Sequence, residues 1–375
     1  MEHKIKELEN SGLLRSLKLI QQKGVFAVYE GKEYLNLSSN DYLGISSRCD
    51  LQTEFLNPLS NNDYMMGSLS SRLLTGNSPC AENLERYLSV LYGKECLLYN
   101  SGYHANLGIM PAITEKGDLI IADKLVHASI IDGIKLCSCE FMRYKHNDYD
   151  NLEHILKKYS GKYKTIFIVT ESIFSMDGDT ANLNQLISLK NKYKAKLYVD
   201  EAHAFGVVGT QGLGCVQSNN LINDVEYTVC TLGKAAASEG AFVICGKTEK
   251  QWLINKSRTL IFTTAAPPIN TLWNHYIISK IVDMQHERQH LQLITKYFRA
   301  KFTNMAILGD SHIIPLVVGE NSECVAFAEK LQSKGIWVMP IRYPSVPKGK
   351  SRLRFSLTAA MSYEQIDKVY ESILA

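Results

Sequence analysis

The sequence lacks the features that mark several large classes of protein. Its nine cysteines include no Cys-x-x-Cys pair, and an odd number of thiols fits neither a disulfide framework nor a zinc site. No internal repeat, low-complexity tract or Pro/Gly-rich linker interrupts the chain. The formal net charge is only +3 and the basic residues are scattered. We therefore expect small-molecule partners, with no nucleic acid, no membrane and no metal.

Long apolar runs are also missing. The first residues, Met-Glu-His-Lys-Ile-Lys-Glu-Leu-Glu, alternate charged with isolated apolar residues, which is unlike a signal peptide and indicates a cytoplasmic protein. The most apolar window of membrane-spanning length, Tyr227 to Gly246, contains Lys234 and Glu239. Each of these charges would cost roughly 3 kcal/mol at the centre of a bilayer. We therefore expect no transmembrane helix.

The chain does contain many short apolar segments of strand length. Its 375 residues are 45% apolar, enough for a large packed core. Helix-length segments such as Asn151–Tyr159 and Leu183–Tyr193 separate most of the apolar runs. Predicted strands of this kind lie at residues 96–99, 118–122, 165–170, 196–200, 227–230 and 242–245. The pattern predicts an α/β fold with a mostly parallel sheet and helices on both faces.

The change in element pattern along the chain suggests three segments. Residues 1–45 begin with a helix and a strand pair, which we expect to pack on a small C-terminal domain. Residues 46–267 form the large α/β domain in this interpretation. Residues 268–375 begin with a long helical pattern and continue with strands and helices, which predicts a smaller α+β domain.

Three residues near the ends of predicted strands suggest pyridoxal phosphate chemistry. Lys234 follows one apolar strand, and Asp200 ends the strand before it. Lysine can form a Schiff base with the cofactor aldehyde, while an aspartate keeps the pyridine nitrogen protonated. His203 could donate to the phenolic oxygen of the ring. Taken singly, such an aspartate is more often a helix cap and such a histidine more often structural, but the combination favours the cofactor site.

Two further positions could complete this site. His127 follows a predicted strand and could stack on the cofactor ring, although a packing histidine at a helix start fits the sequence equally well. Gly102 follows another strand at a predicted helix N-terminus, where backbone N–H groups and the helix dipole favour a phosphate. An ordinary turn is the alternative for Gly102.

Two motifs point to other chemistry. The glycine-rich run at residues 206–214 lacks the Gly-x-Gly-x-x-Gly spacing of a dinucleotide site, so a flexible loop beside Asp200 is preferred. His286 and His290 form a literal His-Glu-x-x-His, which on a helix could bind zinc. Their helix places both histidines opposite a buried stripe formed by Ile281, Met284, Leu291 and Phe298. No third zinc ligand lies at a recognisable spacing in the sequence, so we favour a solvated helix face over a zinc site.

Motifs spread over nearly the whole chain resemble one known family. They lie at residues 35–44, 71–77, 100–106, 174–179, 200–203, 231–234 and 352–360, for example Leu-Asn-Leu-Ser-Ser-Asn-Asp-Tyr-Leu-Gly and Arg-Leu-Leu-Thr-Gly-Asn. In this order they resemble the α-oxoamine synthases, which are fold-type I pyridoxal phosphate transferases. The resemblance implies the decarboxylative condensation of L-alanine with a pimeloyl thioester, carried by coenzyme A or by acyl carrier protein. Acetyl-CoA with glycine is the alternative pair.

The resemblance also implies roles for individual residues. Lys234 would carry the cofactor, Asp200 would pair with the pyridine nitrogen and His127 would stack on the ring. Asn40 and Arg354 would hold the amino-acid carboxylate. The remaining positions are His203 and Ser175 near the phenolic oxygen, Gly102, Tyr103 and Thr231 at the phosphate, Thr263 and Thr264 reaching the phosphate of the other subunit, and Ser345 and Arg15 bordering the acyl substrate.

The implied assembly is a homodimer with shared active sites. Thr263 and Thr264 precede a Pro-Pro pair, which stiffens an extended segment; an intrachain loop that caps the next helix is the alternative. A non-catalytic partner subunit is a remote third interpretation, opposed by the presence of Lys234. The sequence departs from the family at residues 67–72 and 235–240 and at Ala81, where histidine is frequent. These departures affect the expected loop conformation.

Overall fold

The computed structural model describes residues 1–10, 13–59 and 65–375 and divides them into two compact units. Unit 1 comprises Met1–Ser47, Ser175–Asp179 and His286–Ala375. Unit 2 comprises Arg48–Phe174 and Thr180–Gln285.

Strands and helices are numbered along the chain. The strands are β1 (Gln21–Lys23), β2 (Phe26–Tyr29), β3 (Lys32–Asn36), β4 (Glu95–Tyr99), β5 (Leu119–Asp123), β6 (Glu140–Tyr144), β7 (Ile166–Glu171), β8 (Lys196–Asp200), β9 (Tyr227–Thr231), β10 (Ala241–Cys245), β11 (Ile313–Gly319), β12 (Ile336–Trp337), β13 (Pro340–Ile341) and β14 (Ser351–Ser356). The helices are α1 (Glu2–Asn10), α2 (Cys49–Leu56), α3 (Pro79–Tyr92), α4 (Gly102–Ile113), α5 (Ala128–Lys135), α6 (Tyr149–Tyr159), α7 (Leu183–Tyr193), α8 (Cys215–Ser218), α9 (Lys247–Lys256), α10 (Arg258–Ile261), α11 (Pro268–Asp283), α12 (Gln285–Lys301), α13 (Asn321–Ser333) and α14 (Tyr363–Leu374).

Unit 2 is built around a seven-stranded sheet in the order β4-β10-β9-β8-β7-β5-β6. β10 is antiparallel to both neighbours and the remaining pairs are parallel, which confirms the predicted mostly parallel sheet. β5, β7 and β10 are buried throughout, as their continuous apolar sequences predict. β6 is not among the strands predicted from the sequence. It lies at the sheet edge, and its exposed residues interrupt the apolar pattern.

Several predicted site residues lie at the end of this sheet where the parallel strands finish. Asp200 is the last residue of β8, Lys234 follows β9 by three positions, and Gly102 follows β4. His127 precedes α5 in the connection after β5. Because the carboxyl ends of parallel strands share an edge, ligands of such sheets bind there.

Unit 1 contains two smaller sheets. One has the order β1-β2-β3-β12, in which β12 is parallel to β3 and the other pairs are antiparallel. The other has the order β11-β14-β13 and is antiparallel. The β3–β12 pairing joins Leu35 to Ile336, so the N-terminal strands belong to the same unit as the C-terminal residues.

The limits of the units differ from the sequence-based boundaries at 45/46 and 267/268. The chain first passes from unit 1 to unit 2 between residues 47 and 48. It last returns to unit 1 between residues 285 and 286, because α11 belongs to unit 2. Aromatic packing holds α11 there: the ring of Phe55 on α2 lies 5.2 Å from Trp273 and 5.5 Å from Tyr276. A helical pattern alone does not reveal which neighbour a helix packs on.

The His-Glu-x-x-His motif lies on α12, and the structure corrects the expected placement of one histidine. Leu291 and Phe298 are buried as predicted, and His286 is exposed. His290 is half-buried, however, and its Nε2 lies 2.8 Å from the carbonyl oxygen of Met361.

Among the described helices, none is long and apolar enough to cross a membrane.

Candidate cofactor and substrate sites

Lys234 and His203 form the centre of the candidate site in unit 2. The Nζ of Lys234 lies 3.0 Å from Nε2 of His203. His203 is buried, whereas Lys234 is half-buried in the turn after β9. The amine is therefore reachable by a ligand while a fixed imidazole orients it.

Asp200 is buried and held by two hydrogen bonds. The backbone N–H of Ala202 donates to Oδ1 at 2.9 Å, and Nδ2 of Asn106 donates to Oδ2 at 2.7 Å. Only 4% of the aspartate surface is exposed. The carboxylate thus has one orientation and little access to water.

A polar network behind Asp200 includes residues to which the sequence analysis gave no role. Nδ2 of Asn106 also donates to Ser129 Oγ at 2.9 Å, and the hydroxyl of Tyr198 donates to Asn106 Oδ1 at 2.6 Å. Ser129 Oγ lies 2.7 Å from Nδ1 of His127. Asn106 ends the motif at residues 100–106, and that position was the only available signal of its importance.

The charges of Asp200 and Lys234 both affect the pKa of His127. Desolvation by the surrounding protein lowers the pKa of His127, Asp200 opposes this shift, and the positive charge of Lys234 adds to it. His127 keeps an exposed surface, and its ring is anchored through Nδ1. An imidazole anchored in this way can stack on a planar ligand.

The N-terminus of α4 provides a possible phosphate site. Ser101 caps the helix by accepting from the N–H of His104 at 3.2 Å. A Cβ atom at Gly102 would lie only 3.4 Å from Cβ of Thr231, so the glycine brings the helix start close to that hydroxyl. Tyr103, on the first turn, donates its phenol to Asp132 on α5. Free N–H groups beside a hydroxyl suit a phosphate.

Thr263 and Thr264 lie beside this helix start in the same chain. Nδ2 of Asn100 donates to the carbonyl of Thr264 at 2.7 Å and lies 3.5 Å from Oγ1 of Thr263. Both threonines line a cavity of about 480 Å³, together with Ser68, Leu69 and others of unit 2.

Asn40 and Arg354 meet in unit 1, as the predicted carboxylate pair requires. Nη1 of Arg354 donates to Oδ1 of Asn40 at 3.2 Å and to Ser356 Oγ at 2.7 Å. Nε donates to the backbone carbonyl of Ser175 at 2.6 Å. Tyr42 also donates to Asn40 Oδ1, at 3.0 Å. None of these bonds to Arg354 involves Nη2, and a guanidinium can pair with a carboxylate through such donors.

Arg15 and Ser345 also meet in unit 1. Nη2 of Arg15 donates to Ser345 Oγ at 3.3 Å, and both residues line a cavity of about 440 Å³. Apolar side chains such as Leu13 and Val325 share this lining with basic ones such as Arg342.

Two positions that depart from the family pattern have unusual backbone conformations. Leu69 has a φ of 60° and Ala237 a φ of 47°, both in the left-handed region that favours glycine. Ala81 is buried in the first turn of α3, where its N–H donates to the capping Ser78 Oγ at 3.3 Å.

Comparison with known proteins identifies the family. The model for aminotransferase class I and II matches residues 32–373. The chain belongs to this family, within its α-oxoamine synthase group. It is 46% identical over 375 residues to a Haemophilus ducreyi protein named 8-amino-7-oxononanoate synthase, with 97% of each chain covered. The predicted resemblance is therefore confirmed.

Solved structures agree with this assignment. Serine palmitoyltransferase from S. paucimobilis, with a bound PLP–myriocin aldimine, is 25% identical with a TM-score of 0.91 and covers 99% of this chain and 95% of its own. An 8-amino-7-oxononanoate synthase from Francisella tularensis is 30% identical, with a TM-score of 0.78 and coverage of 91% and 96%. The fold is that of fold-type I pyridoxal phosphate enzymes, and the chain is an enzyme of that type.

The residues present in unit 2 fit pyridoxal phosphate, the cofactor of this fold type. Lys234 offers an amine for the aldehyde, and the buried, hydrogen-bonded Asp200 offers an acceptor for a ring N–H. The start of α4 beside Thr231 offers donors for a phosphate. These three groups correspond to the aldehyde, the ring nitrogen and the phosphate of the cofactor.

Proposed function

We propose that the chain condenses L-alanine with a pimeloyl thioester and releases 8-amino-7-oxononanoate, CO2 and the free thiol. Pimeloyl-CoA and pimeloyl-acyl carrier protein both fit this description. The 46% identity to the H. ducreyi protein of that name carries the choice of substrates. The reaction would supply biotin biosynthesis in the cytoplasm.

Lys234 and Asp200 have the central chemical roles in this proposal. Pyridoxal phosphate, when bound, supplies an aldehyde that links to amines and a ring that accepts electron density. The Lys234 amine holds the aldehyde between turnovers and then takes the Cα proton of alanine as general base. The Asp200 carboxylate keeps the proton on the ring nitrogen, and His203 donates to the phenolic oxygen next to the aldehyde.

Asn40 and Arg354 position the amino acid. The guanidinium pairs with the alanine carboxylate, and the Asn40 amide, whose Oδ1 already accepts from Tyr42 and Arg354, presents its Nδ2 to the same carboxylate. Fixing the carboxylate fixes which bond at Cα is directed toward the base. Correct alignment of this kind accounts for several powers of ten in rate.

Arg15 and Ser345 border the acyl substrate in this proposal. Their cavity combines apolar side chains with three basic ones, those of Arg15, Lys18 and Arg342, and one carboxylate, that of Glu329. That lining suits an acyl chain with an anionic group, which both the pimeloyl chain and its coenzyme A carrier possess.

We further propose a homodimer in which Thr263 and Thr264 contribute to the phosphate site of the partner. Exposed apolar residues lie on the described part of unit 2 near this segment, including Leu69, Leu74 and Phe262. A Lys234→Ala chain mixed with a chain mutated at both threonines should regain about a quarter of wild-type activity by random pairing. Lack of recovery after verified subunit exchange would refute shared sites.

The alternative acyl donor and amino acid are acetyl-CoA and glycine. The motifs at residues 35–44 and 71–77 favour the biotin-type enzyme. Mass spectrometry of the products formed from pimeloyl-CoA with alanine, and from acetyl-CoA with glycine, decides between the two. Faster turnover of the second pair would move the assignment to the glycine enzyme. Absence of any turnover by cofactor-loaded protein would favour a non-catalytic subunit.

A further inference from the structure

The side chain of Asn106 is a buried amide that connects Asp200 with His127. Asp200 is the proposed partner of the ring nitrogen, and His127 is proposed to stack on the ring face. Asn106 lies on α4 with 1% of its surface exposed. Its Nδ2 donates to Asp200 and Ser129, and its Oδ1 accepts from Tyr198. The amide has a single orientation, because a flipped amide would direct its oxygen at the Asp200 carboxylate, which only accepts hydrogen bonds.

Ser129 extends the same orientation to His127. The backbone N–H of Ser129 donates to Nδ1 of His127 at 3.3 Å, so Nδ1 is an acceptor. The Ser129 hydroxyl accepts from Asn106 and lies 2.7 Å from the same Nδ1, which places its own proton toward the imidazole. Nδ1 therefore carries no proton, and the imidazole proton lies on Nε2.

We propose that Asn106 is a positioning residue for the cofactor ring, which it serves by fixing the Asp200 carboxylate and the His127 imidazole together. Nδ2 of Asn106 donates to Oδ2 of Asp200, and the N–H of Ala202 donates to Oδ1. Together these bonds prevent the carboxylate plane from rotating. Removing the Asn106 donors frees that rotation and also releases Ser129. This inference rests on the proposed role of Asp200 toward the pyridine nitrogen.

The experiment uses the holoenzyme loaded with cofactor labelled with 15N in the pyridine ring. Asn106→Ala should move the ring nitrogen resonance toward that of an unprotonated pyridine, and should slow exchange of the alanine Cα proton roughly 10- to 100-fold. Tyr198→Phe, which preserves volume and removes only the donor to Asn106 Oδ1, should produce a smaller shift in the same direction.

Tyr227→Phe is the matched control. Tyr227 is buried on the neighbouring strand β9, and its ring centroid lies 6.2 Å from that of Tyr198. This variant should leave both readouts at the wild-type value. Asp200→Asn serves as the reference for a lost carboxylate charge and should give the largest shift.

A purely structural role would lower the melting temperature of the Asn106 and Tyr198 variants without changing the nitrogen resonance of the folded holoenzyme, and that result would overturn the inference. If Asn106→Ala fails to fold, the comparison of Tyr198→Phe with Tyr227→Phe decides alone. An unchanged resonance in Asp200→Asn would instead refute the proposed role of Asp200. Neither readout needs an acyl donor, so the choice of thioester does not affect the outcome.

Discussion

Replacement of Arg354 by lysine tests the proposed carboxylate pair, Asn40 and Arg354. The hydrogen bonds of Arg354 allow the expected loss in kcat/KM for alanine to be calculated. The guanidinium uses Nε and Nη1 for Ser175, Asn40 and Ser356. Lysine retains the positive charge, but it cannot form these bonds and also present a planar pair of donors to a carboxylate. At least one charged hydrogen bond to the substrate is lost, and such a bond contributes about 1.5–3 kcal/mol. The predicted fall in kcat/KM for alanine is therefore roughly 10- to 150-fold.

The assay measures initial rates against alanine at saturating pimeloyl-CoA, together with alanine binding followed by the absorbance of the cofactor. Arg352→Lys is the matched control, because Arg352 is also buried on β14, pairs with Asp177, and donates to the carbonyl of Lys350 at 3.1 Å. It should destabilise the protein while leaving the affinity for alanine nearly unchanged. An unchanged kcat/KM in Arg354→Lys, or equal losses in both variants, would refute the reasoning.

Three further predictions concern the ring partner, a strained loop and a buried histidine. Asp200→Asn should still bind cofactor but slow exchange of the alanine Cα proton roughly 100-fold or more, because charge developing on the ring loses its electrostatic support; a wild-type rate would refute the role. Leu69→Gly should be about 1 kcal/mol more stable to urea than Leu69→Ala, because Leu69 has a φ of 60°; equal midpoints would show no backbone strain. Burial lowers the pKa of His312 to about 3, whereas an unfolded histidine titrates near 6.5. The unfolded state thus binds more protons between these values, so stability should be full above about pH 6.5 and fall by up to about 1.4 kcal/mol per pH unit below it. His312→Gln should flatten this dependence in urea midpoints measured from pH 7 to 5, and an unchanged slope would contradict the assignment.

Much of the fold is readable from the sequence because its strands are buried on both faces. The strands Ile166–Glu171 and Lys196–Asp200, which are apolar at their centres, lie within one residue of their predicted limits. The edge strand Glu140–Tyr144 escaped because half-exposed strands carry a weaker signal. The unit limit near residue 285 also escaped, since it depends on aromatic packing between distant segments.

The candidate site was readable only in part, for a related reason. Lys234 and Asp200 are visible because chemistry dictates their residue types and strands place them. Asn106 is an ordinary helical asparagine until the chain folds and brings it within 2.7 Å of Asp200, which is 94 positions away. Arg354 and Asn40, which are 314 positions apart, were expected to meet only because of the family resemblance. Contacts over such distances follow from topology and are not encoded in local spacing.

The most direct test of the central claim is to identify the residue that carries the cofactor. The holoenzyme is reduced with borohydride, digested and mapped by mass spectrometry, with Lys234→Ala treated in parallel. We expect the reduced cofactor to be attached to the peptide containing Lys234, and we expect the variant to retain no reducible visible chromophore. Attachment to a different lysine, or a reducible chromophore that persists in Lys234→Ala, would contradict it.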